Sequence, residues 1–215
     1  MTEMGVHLPP LYPITDAKLS GLSHIDQVAL LLEGGASLIQ IRDKGSTPDE
    51  LYRAAVACIA VARPRGARII INDRADVALA ADADGVHLGQ DDLPAAEARV
   101  LLGPSRIVGV STHSVAQAVR AAELAVDYVA IGPAFTTTTK ENPDPVVGLD
   151  LIREVSRRID KPLVAIGGIT LEKAREVVKA GADSVAVISD LFISRDIVSR
   201  TRAFLETLVP PELNR

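Results

Sequence analysis

Two groups of aspartates stand where apolar runs stop. Asn72-Asp73 follows Ile69-Ile70-Ile71, and Gly89-Gln90-Asp91-Asp92 follows Val86-His87-Leu88. Carboxylates are the hard oxygen ligands that Mg²⁺ prefers, and the ion takes one or two of them, with phosphate and water completing its octahedron. Each is also an ordinary helix cap, since Asp91-Asp92-Leu93-Pro94 leads into a helical pattern. In Ser37–Arg42 an apolar run is broken by Gln40 and Arg42, two apart and therefore on one face of a strand, with Lys44 just beyond. Gln and Arg on a buried face suit an anionic, hydrogen-bonding ligand; the alternative is a structural ion pair inside the protein. Thr136-Thr137-Thr138-Thr139-Lys140 offers hydroxyls and an ammonium, which suit a phosphorylated compound. In Ser111-Thr112-His113-Ser114, Ser114 is expected to cap the next helix, and no Ser/His/Asp arrangement for nucleophilic catalysis is readable. The histidines therefore take bland readings: His87 as a hydrogen-bonded packing residue, His113 as non-catalytic, His7 and His24 as exposed.

The elements that must position these groups alternate along the whole chain. Strand candidates are Leu11–Thr15, Ser37–Arg42, Arg68–Asn72, Gly85–Leu88, Ile107–Val110, Tyr128–Ile131, Leu163–Ile166 and Ser184–Ile188. Amphipathic segments lie between them, such as Pro48–Ala62 with Leu51, Ala55, Ile59 and Ala62 at helical spacing. Thr47 caps that helix, Pro48 takes its first position, and Asp49 and Glu50 fill its first turn. Gly34-Gly35-Ala36-Ser37 and Gly181-Ala182-Asp183-Ser184 are parallel phrases that stop a helix and feed a strand. Nearly continuous apolar strands alternating with helices imply a parallel sheet covered by helices. Polar residues follow nearly every strand rather than one switch point, which favours a single compact α/β domain, a (β/α)₈ TIM barrel, over a doubly wound open sheet. Such barrels often hold a phosphate where the loops after strands seven and eight meet a short helix, and here those loops carry Gly167-Gly168 and Ser189. The long stretch Gly132–Gly148 is expected to be a lid that closes over bound substrates.

Composition narrows the function classes. The 215 residues carry 23 Lys+Arg against 28 Asp+Glu, a net charge of −5, which argues against general nucleic-acid binding. Aromatics at 3% disfavour base-stacking platforms. The longest uncharged apolar run, Ala54–Ala62, falls far short of the about 20 residues that span a bilayer, so no membrane role is expected. No basic-then-apolar leader is read at the start, and a cytoplasmic address is the default expectation. Cys58, the single cysteine, can neither close an intrachain disulfide nor supply a zinc cluster.

Taken in order, Gln40-Ile41-Arg42-Asp43-Lys44, Ile71-Asn72-Asp73-Arg74, Gly89-Gln90-Asp91-Asp92, Gly109-Val110-Ser111-Thr112-His113-Ser114, Thr137-Thr138-Thr139-Lys140, Ala165-Ile166-Gly167-Gly168-Ile169 and Val187-Ile188-Ser189 resemble the thiamine phosphate synthase family. That resemblance implies a (β/α)₈ barrel. Its reaction joins 4-amino-2-methyl-5-(diphosphomethyl)pyrimidine to 4-methyl-5-(2-phosphoethyl)thiazole, or to its carboxylated precursor, giving thiamine phosphate and diphosphate. By motif it implies that Gln40, Ile41, Arg42, Asp43, Lys44, Asn72, Ser111 and Lys140 bind the pyrimidine diphosphate. It implies that Asp73 and Asp92 hold Mg²⁺, choosing the second aspartate where spacing alone left both open. Thr137, Thr138 and Thr139 would bind the thiazole phosphate, with Gly168, Ile188 and Ser189. The chain departs from the family pattern at Thr136, where Pro is common, and at Asp43, where Glu is frequent. The implied mechanism is a dissociative substitution needing no side-chain nucleophile or general base. The implied partners are two small phosphorylated substrates; oligomeric state is not legible. A thiazole tautomerase and a non-catalytic barrel binding thiamine precursors are the alternatives. The first would need a proton-transfer residue and no paired-aspartate metal site.

Overall fold

The computed structural model describes residues 6–137, 144–193 and 196–208. The short apolar runs become strands β1 (Leu11–Pro13), β2 (Leu38–Ile41), β3 (Arg68–Asn72), β4 (Gly85–Leu88), β5 (Ile107–Thr112), β6 (Tyr128–Ile131), β7 (Leu163–Ile166) and β8 (Ser184–Val187). The helices among the described residues are α1 (Ala17–Ser20), α2 (His24–Glu33), α3 (Pro48–Ala62), α4 (Ala75–Ala80), α5 (Ala95–Leu102), α6 (Val115–Ala122), α7 (Gly148–Ser156), α8 (Leu171–Lys179), α9 (Ser189–Ile193) and α10 (Ile197–Leu208). Every strand pair is parallel, in the order β1-β8-β7-β6-β5-β4-β3-β2. The two ends of that sheet meet where Ile14 bridges Gln40 and the Thr15 N–H donates to the Gln40 carbonyl at 2.9 Å. The chain is thus a (β/α)₈ barrel, not an open sheet.

Local chemistry explains the element ends. Thr47 and Glu50 form a reciprocal capping box on α3, with the Thr47 hydroxyl accepting from the Glu50 N–H and the Glu50 carboxylate from the Thr47 N–H. Helix α2 stops at Gly34 and is followed by Gly35 at φ 100°, as the helix-stop reading of that phrase requires. Strand β5 runs two residues past its expected end, to Thr112, because Thr112 still pairs with Ile131 of β6.

Strand alternation divides the apolar residues into two cores. Ile39, Ile41, Ile69 and Ile71 point outward and pack under the helices, whereas Leu38, Ile70, Tyr128 and Val164 fill the barrel. This parity also sends Gln40 inward and Ile41 outward. Cys58 lies in the outer core, where burial pushes its thiol up to about 12 and leaves it without thiolate character near neutral pH. No helix of the described residues is long and apolar enough to cross a membrane.

One inward position sets the floor of the barrel. Gly109 pairs in register with Tyr128, and a Cβ built at Gly109 would lie 2.0 Å from the Tyr128 Cζ. The glycine therefore exists to seat a fully buried tyrosine ring. Gly109→Ala is expected to destabilise the fold by about 2 kcal/mol through overpacking, read as a lower urea midpoint with an unchanged m-value. A shift below about 0.5 kcal/mol would show that the ring is not confined there.

Candidate functional site

A cavity of about 460 Å³ opens where the strands end, and residues from the ends of β2, β3, β4, β5 and β8 line it. The β2 end is held by its neighbours. The Thr15 hydroxyl accepts from the Arg42 N–H at 3.3 Å and shares a hydrogen bond with His24 Nδ1 at 2.8 Å. The Arg42 guanidinium pairs with Asp16 at 3.1 Å, and Asp16 also caps α1 by accepting from the Leu19 N–H. The ion pair weighed as an alternative for Arg42 therefore exists, yet it sits at the rim of the cavity that Arg42 lines. Next to it, Asp43 accepts from the Gly45 and Ser46 N–H groups and meets His24 Nε2 at 3.2 Å. Burial works to raise the Asp43 carboxyl, but these hydrogen bonds and the His24 partner outweigh it and hold the group below the usual carboxylate range. Asp43 thus shapes the turn that carries Lys44. His24 corrects the sequence reading: it is buried rather than exposed, because Thr15 and Asp43 come from two different strand ends to satisfy both its nitrogens.

The two carboxylates at the ends of β3 and β4 come together. Asp73 adopts φ 63°, a left-handed conformation that costs a non-glycine residue about 1 kcal/mol or more. Its N–H donates to the His87 carbonyl at 2.8 Å. Asp92 turns back onto its own loop and accepts from the Gly89 N–H at 2.6 Å. The helix-cap alternative falls away for both, since the N-cap residues of α4 and α5 are Arg74 and Pro94 and neither helix has a side-chain cap. Burial raises the Asp92 carboxyl; the Gly89 N–H pulls the other way, and the adjoining Asp73 carboxylate adds to the rise. Lys44 reaches Asp73 at 3.4 Å. Two contacting, half-buried carboxylates, with Lys44 the one cation within ion-pair distance of them among the described residues, make a donor set that fits a divalent cation. Among the described residues no cluster of three or more His, Cys, Asp or Glu offers a metal site.

Below this pair lies a chain of buried polar groups. Gln40 Nε2 donates to the Tyr12 hydroxyl at 3.1 Å, and that hydroxyl meets the Tyr128 hydroxyl at 3.1 Å. Tyr128 reaches His87 Nδ1 at 2.8 Å, and His87 Nε2 meets the Ser111 hydroxyl at 2.8 Å. Burial pushes the His87 imidazole down to about 4, so it is neutral near pH 7. His87 is the hydrogen-bonded strand residue that the sequence suggested. Ser114 caps α6 as expected, through the Gln117 N–H.

The loops after β6 and β7 are pressed together. The Ala134 N–H donates to the Ile166 carbonyl at 2.8 Å and the Phe135 N–H to the Gly167 carbonyl at 3.0 Å. A Cβ at Gly168, which has φ 64°, would lie 2.4 Å from the Thr136 carbonyl oxygen, so only glycine fits.

The cavity thus gathers Gln40, Arg42, Lys44, Asn72, Asp73, Asp92, Ser111, Thr137 and Ile188. Ile41 packs in the outer core, and Asp43, Gly168 and Ser189 stand behind the lining. Thr138, Thr139 and Lys140 lie outside the described residues, as does the middle of the expected lid. Sequence reading passed over Tyr12, Asp16, Tyr128, Gln117 and Asp144. His113, read as bland, lines the cavity: its Nδ1–H donates to the Gly132 carbonyl at 2.7 Å and its Nε2 lies 3.5 Å from Asp144. Strand parity was the available signal for Tyr12 and Tyr128, which share the inward face with Gln40 and Ser111.

Fold and cavity define a (β/α)₈ barrel with its polar side chains gathered at the C-terminal ends of the strands, where enzymes of this fold keep their active sites. The family model for thiamine monophosphate synthase matches residues 11–191. Thiamine-phosphate synthase of Methanospirillum hungatei is 46% identical over 200 residues, covering 93% of this chain and 97% of its own. That of Koribacter versatilis is 47% identical over 211 residues, covering 95% and 98%. The solved thiamine phosphate pyrophosphorylase of Pyrococcus furiosus superposes with a TM-score of 0.84 at 36% identity, covering 93% of this chain and 96% of that one. The chain belongs to the thiamine monophosphate synthase family, whose members are transferases that form thiamine phosphate.

The buried His87 generates a pH prediction. Its folded value of about 4 lies below the ordinary 6.5, so between those limits the unfolded chain holds a proton that the folded chain lacks. The stabilisation is complete above pH 6.5 and is lost as pH falls towards 4. Between pH 7 and 4.5 the protein should lose about 2 kcal/mol more unfolding free energy than His87→Gln. Parallel losses in urea titrations of the two proteins would contradict the assignment.

Proposed function

We propose that this cavity joins 4-amino-2-methyl-5-(diphosphomethyl)pyrimidine to 4-methyl-5-(2-phosphoethyl)thiazole, or to its carboxylated precursor, in a Mg²⁺-dependent substitution that releases diphosphate. The observation that carries the reading is the contact between Asp73 and Asp92 on neighbouring strand ends, with Lys44 and Arg42 on the same cavity wall. In the reaction the bond from the pyrimidine methylene to the diphosphate oxygen breaks, and the electron pair leaves with diphosphate. The electron-rich aminopyrimidine carries the resulting cation until the thiazole nitrogen donates its pair to the methylene carbon.

Asp73 and Asp92 would hold the Mg²⁺, and the chemistry such an ion supplies is charge neutralisation at the diphosphate oxygens. Arg42, oriented by Asp16, and Lys44, on the turn that Asp43 shapes, add fixed positive charge beside the leaving group. Lys140, outside the described residues, would do the same, as the family resemblance implies. Gln40, Ile41, Asp43, Asn72 and Ser111 complete the pyrimidine diphosphate side, Ile41 and Asp43 through the conformation of the segment that bears them. Thr137, Thr138, Thr139, Gly168, Ile188 and Ser189 receive the thiazole phosphate. Holding two substrates in line and neutralising the leaving group supply the catalysis, so no nucleophilic side chain takes part.

A coupling assay with both substrates tests the reading: thiamine phosphate should form with Mg²⁺ and cease with EDTA. Failure to form it with Mg²⁺ present would overturn it. Asp92→Asn should cut kcat/KM on the order of 10²-fold, whereas Asp91→Asn on the exposed neighbour should change it by less than about threefold. Equal large losses would show that the wrong aspartate of the pair has been chosen. Arg42→Ala should lower kcat on the order of 10²-fold; a raised KM with unchanged kcat would limit Arg42 to uniform binding.

A further inference from the structure

Helix α2 lines no part of the cavity, yet it grips both of the chain segments that set cations there. Its buried face is made of His24, Gln27, Val28 and Leu31. Val28 and Leu31 are apolar, as a helix packed on a barrel requires, whereas His24 and Gln27 bring polar groups into the same layer. A buried amide or imidazole destabilises unless its hydrogen bonds are made, and once made they add little over an apolar side chain of similar shape. What these two side chains hold therefore matters more than what they add to stability. Gln27 is fully buried and uses both ends of its amide: Oε1 accepts from the Asp16 N–H at 2.9 Å, and Nε2 donates to the Leu22 carbonyl at 3.0 Å. Asp16 sets one carboxylate oxygen on the Leu19 N–H and the other on the Arg42 guanidinium. His24 acts in the same way on the next segment. An ionised carboxylate only accepts, so His24 Nε2 carries the hydrogen that goes to Asp43 Oδ2. Asp43 Oδ1 accepts from the Gly45 and Ser46 N–H groups and closes the turn that contains Lys44.

We propose that His24 and Gln27 are positioning residues through which α2 presets Arg42 and Lys44 to receive a diphosphate. This rests on the diphosphate reading above and adds what holds its cationic side ready. The two routes, Gln27–Asp16–Arg42 and His24–Asp43–Lys44, start one turn apart on one helix and end on two cations of the same cavity wall. Thr15 joins them: fully buried, its hydroxyl meets His24 Nδ1 at 2.8 Å and accepts from the Arg42 N–H at 3.3 Å. Arginine and lysine side chains are rich in rotamers, and ordering them only when the anion arrives subtracts that entropy from its affinity. Fixing the Arg42 guanidinium and the backbone at Lys44 beforehand removes much of this cost. The device lies behind the cavity wall, so it acts on the anion without touching it.

The test measures the affinity of inorganic diphosphate by calorimetry in saturating Mg²⁺, beside the KM of each substrate. His24→Ala and Gln27→Leu should each weaken diphosphate about tenfold and raise the KM of the pyrimidine diphosphate, leaving that of the thiazole phosphate unchanged. His24→Gln sets an amide N–H near the place of Nε2 and should return the affinity to within about threefold of wild type. Val28→Ala, on the same buried face, removes packing alone: it should lower the melting temperature and leave diphosphate affinity unchanged. Wild-type affinity in either His24→Ala or Gln27→Leu, no recovery in His24→Gln, or an equal loss in Val28→Ala would overturn the proposal. If His24→Ala does not fold, His24→Asn, which reaches Thr15 but not Asp43, takes its place; if Gln27→Leu does not, Gln27→Met does. Failure of all of these to melt cooperatively would assign the two residues to the fold and overturn the proposal as well. A wild type that binds diphosphate but forms no thiamine phosphate overturns the functional reading alone, since the preset cations are still measured by diphosphate; a wild type that binds no diphosphate overturns both.

Discussion

Asp73 and Asp92 carry like charges on the ends of adjacent strands, and their carboxyl groups meet. Repulsion works against that contact, burial of Asp92 adds to the cost, and Asp73 is held in a left-handed conformation as well. The barrel makes the arrangement persist. The register of β3 on β4 sets Asn72 opposite His87, which brings the next N–H, that of Asp73, onto the His87 carbonyl. The Gly89 N–H fastens Asp92 from its other side. A strained, mutually repelling pair held by backbone hydrogen bonds is an arrangement awaiting positive charge, and only Lys44 lies within ion-pair distance of it among the described residues.

The surrounding groups make sense as responses to that pair. Arg42 is kept in place by Asp16 rather than by the acidic pair, so its charge remains available to an anion entering the cavity. Beneath, the polar chain from Gln40 to Ser111 is neutral throughout, including His87. Charge is thus confined to the mouth, where the proposed diphosphate would bind, and neutral hydrogen bonding to the floor.

The barrel was legible because its strands are buried on both faces and read as short apolar runs, and Pro48–Ala62 was legible because capping and amphipathic spacing agree in one segment. The acidic pair was visible as two strand-end aspartate groups, although both also fitted helix caps until the structure showed α4 and α5 starting without them. What could not be read was tertiary. His24 is buried only because Thr15 and Asp43, distant in sequence, converge on it. Tyr12 and Tyr128 look like ordinary core aromatics, and their polar role depends on the parity of five strands and on the missing side chain at Gly109. Asp16 gave no sign of holding Arg42, since its local signal was that of a cap for α1.

If the acidic pair and the cationic rim form one site, metal and diphosphate must bind together rather than side by side. Calorimetric titration of Mg²⁺ into the intact protein, with and without saturating inorganic diphosphate, measures this coupling, once Mg²⁺ binding by diphosphate alone has been subtracted. The account predicts that diphosphate tightens Mg²⁺ binding at least about tenfold, a coupling of about 1.4 kcal/mol, and that Mg²⁺ tightens diphosphate equally. Identical Mg²⁺ affinities in the two titrations would contradict it.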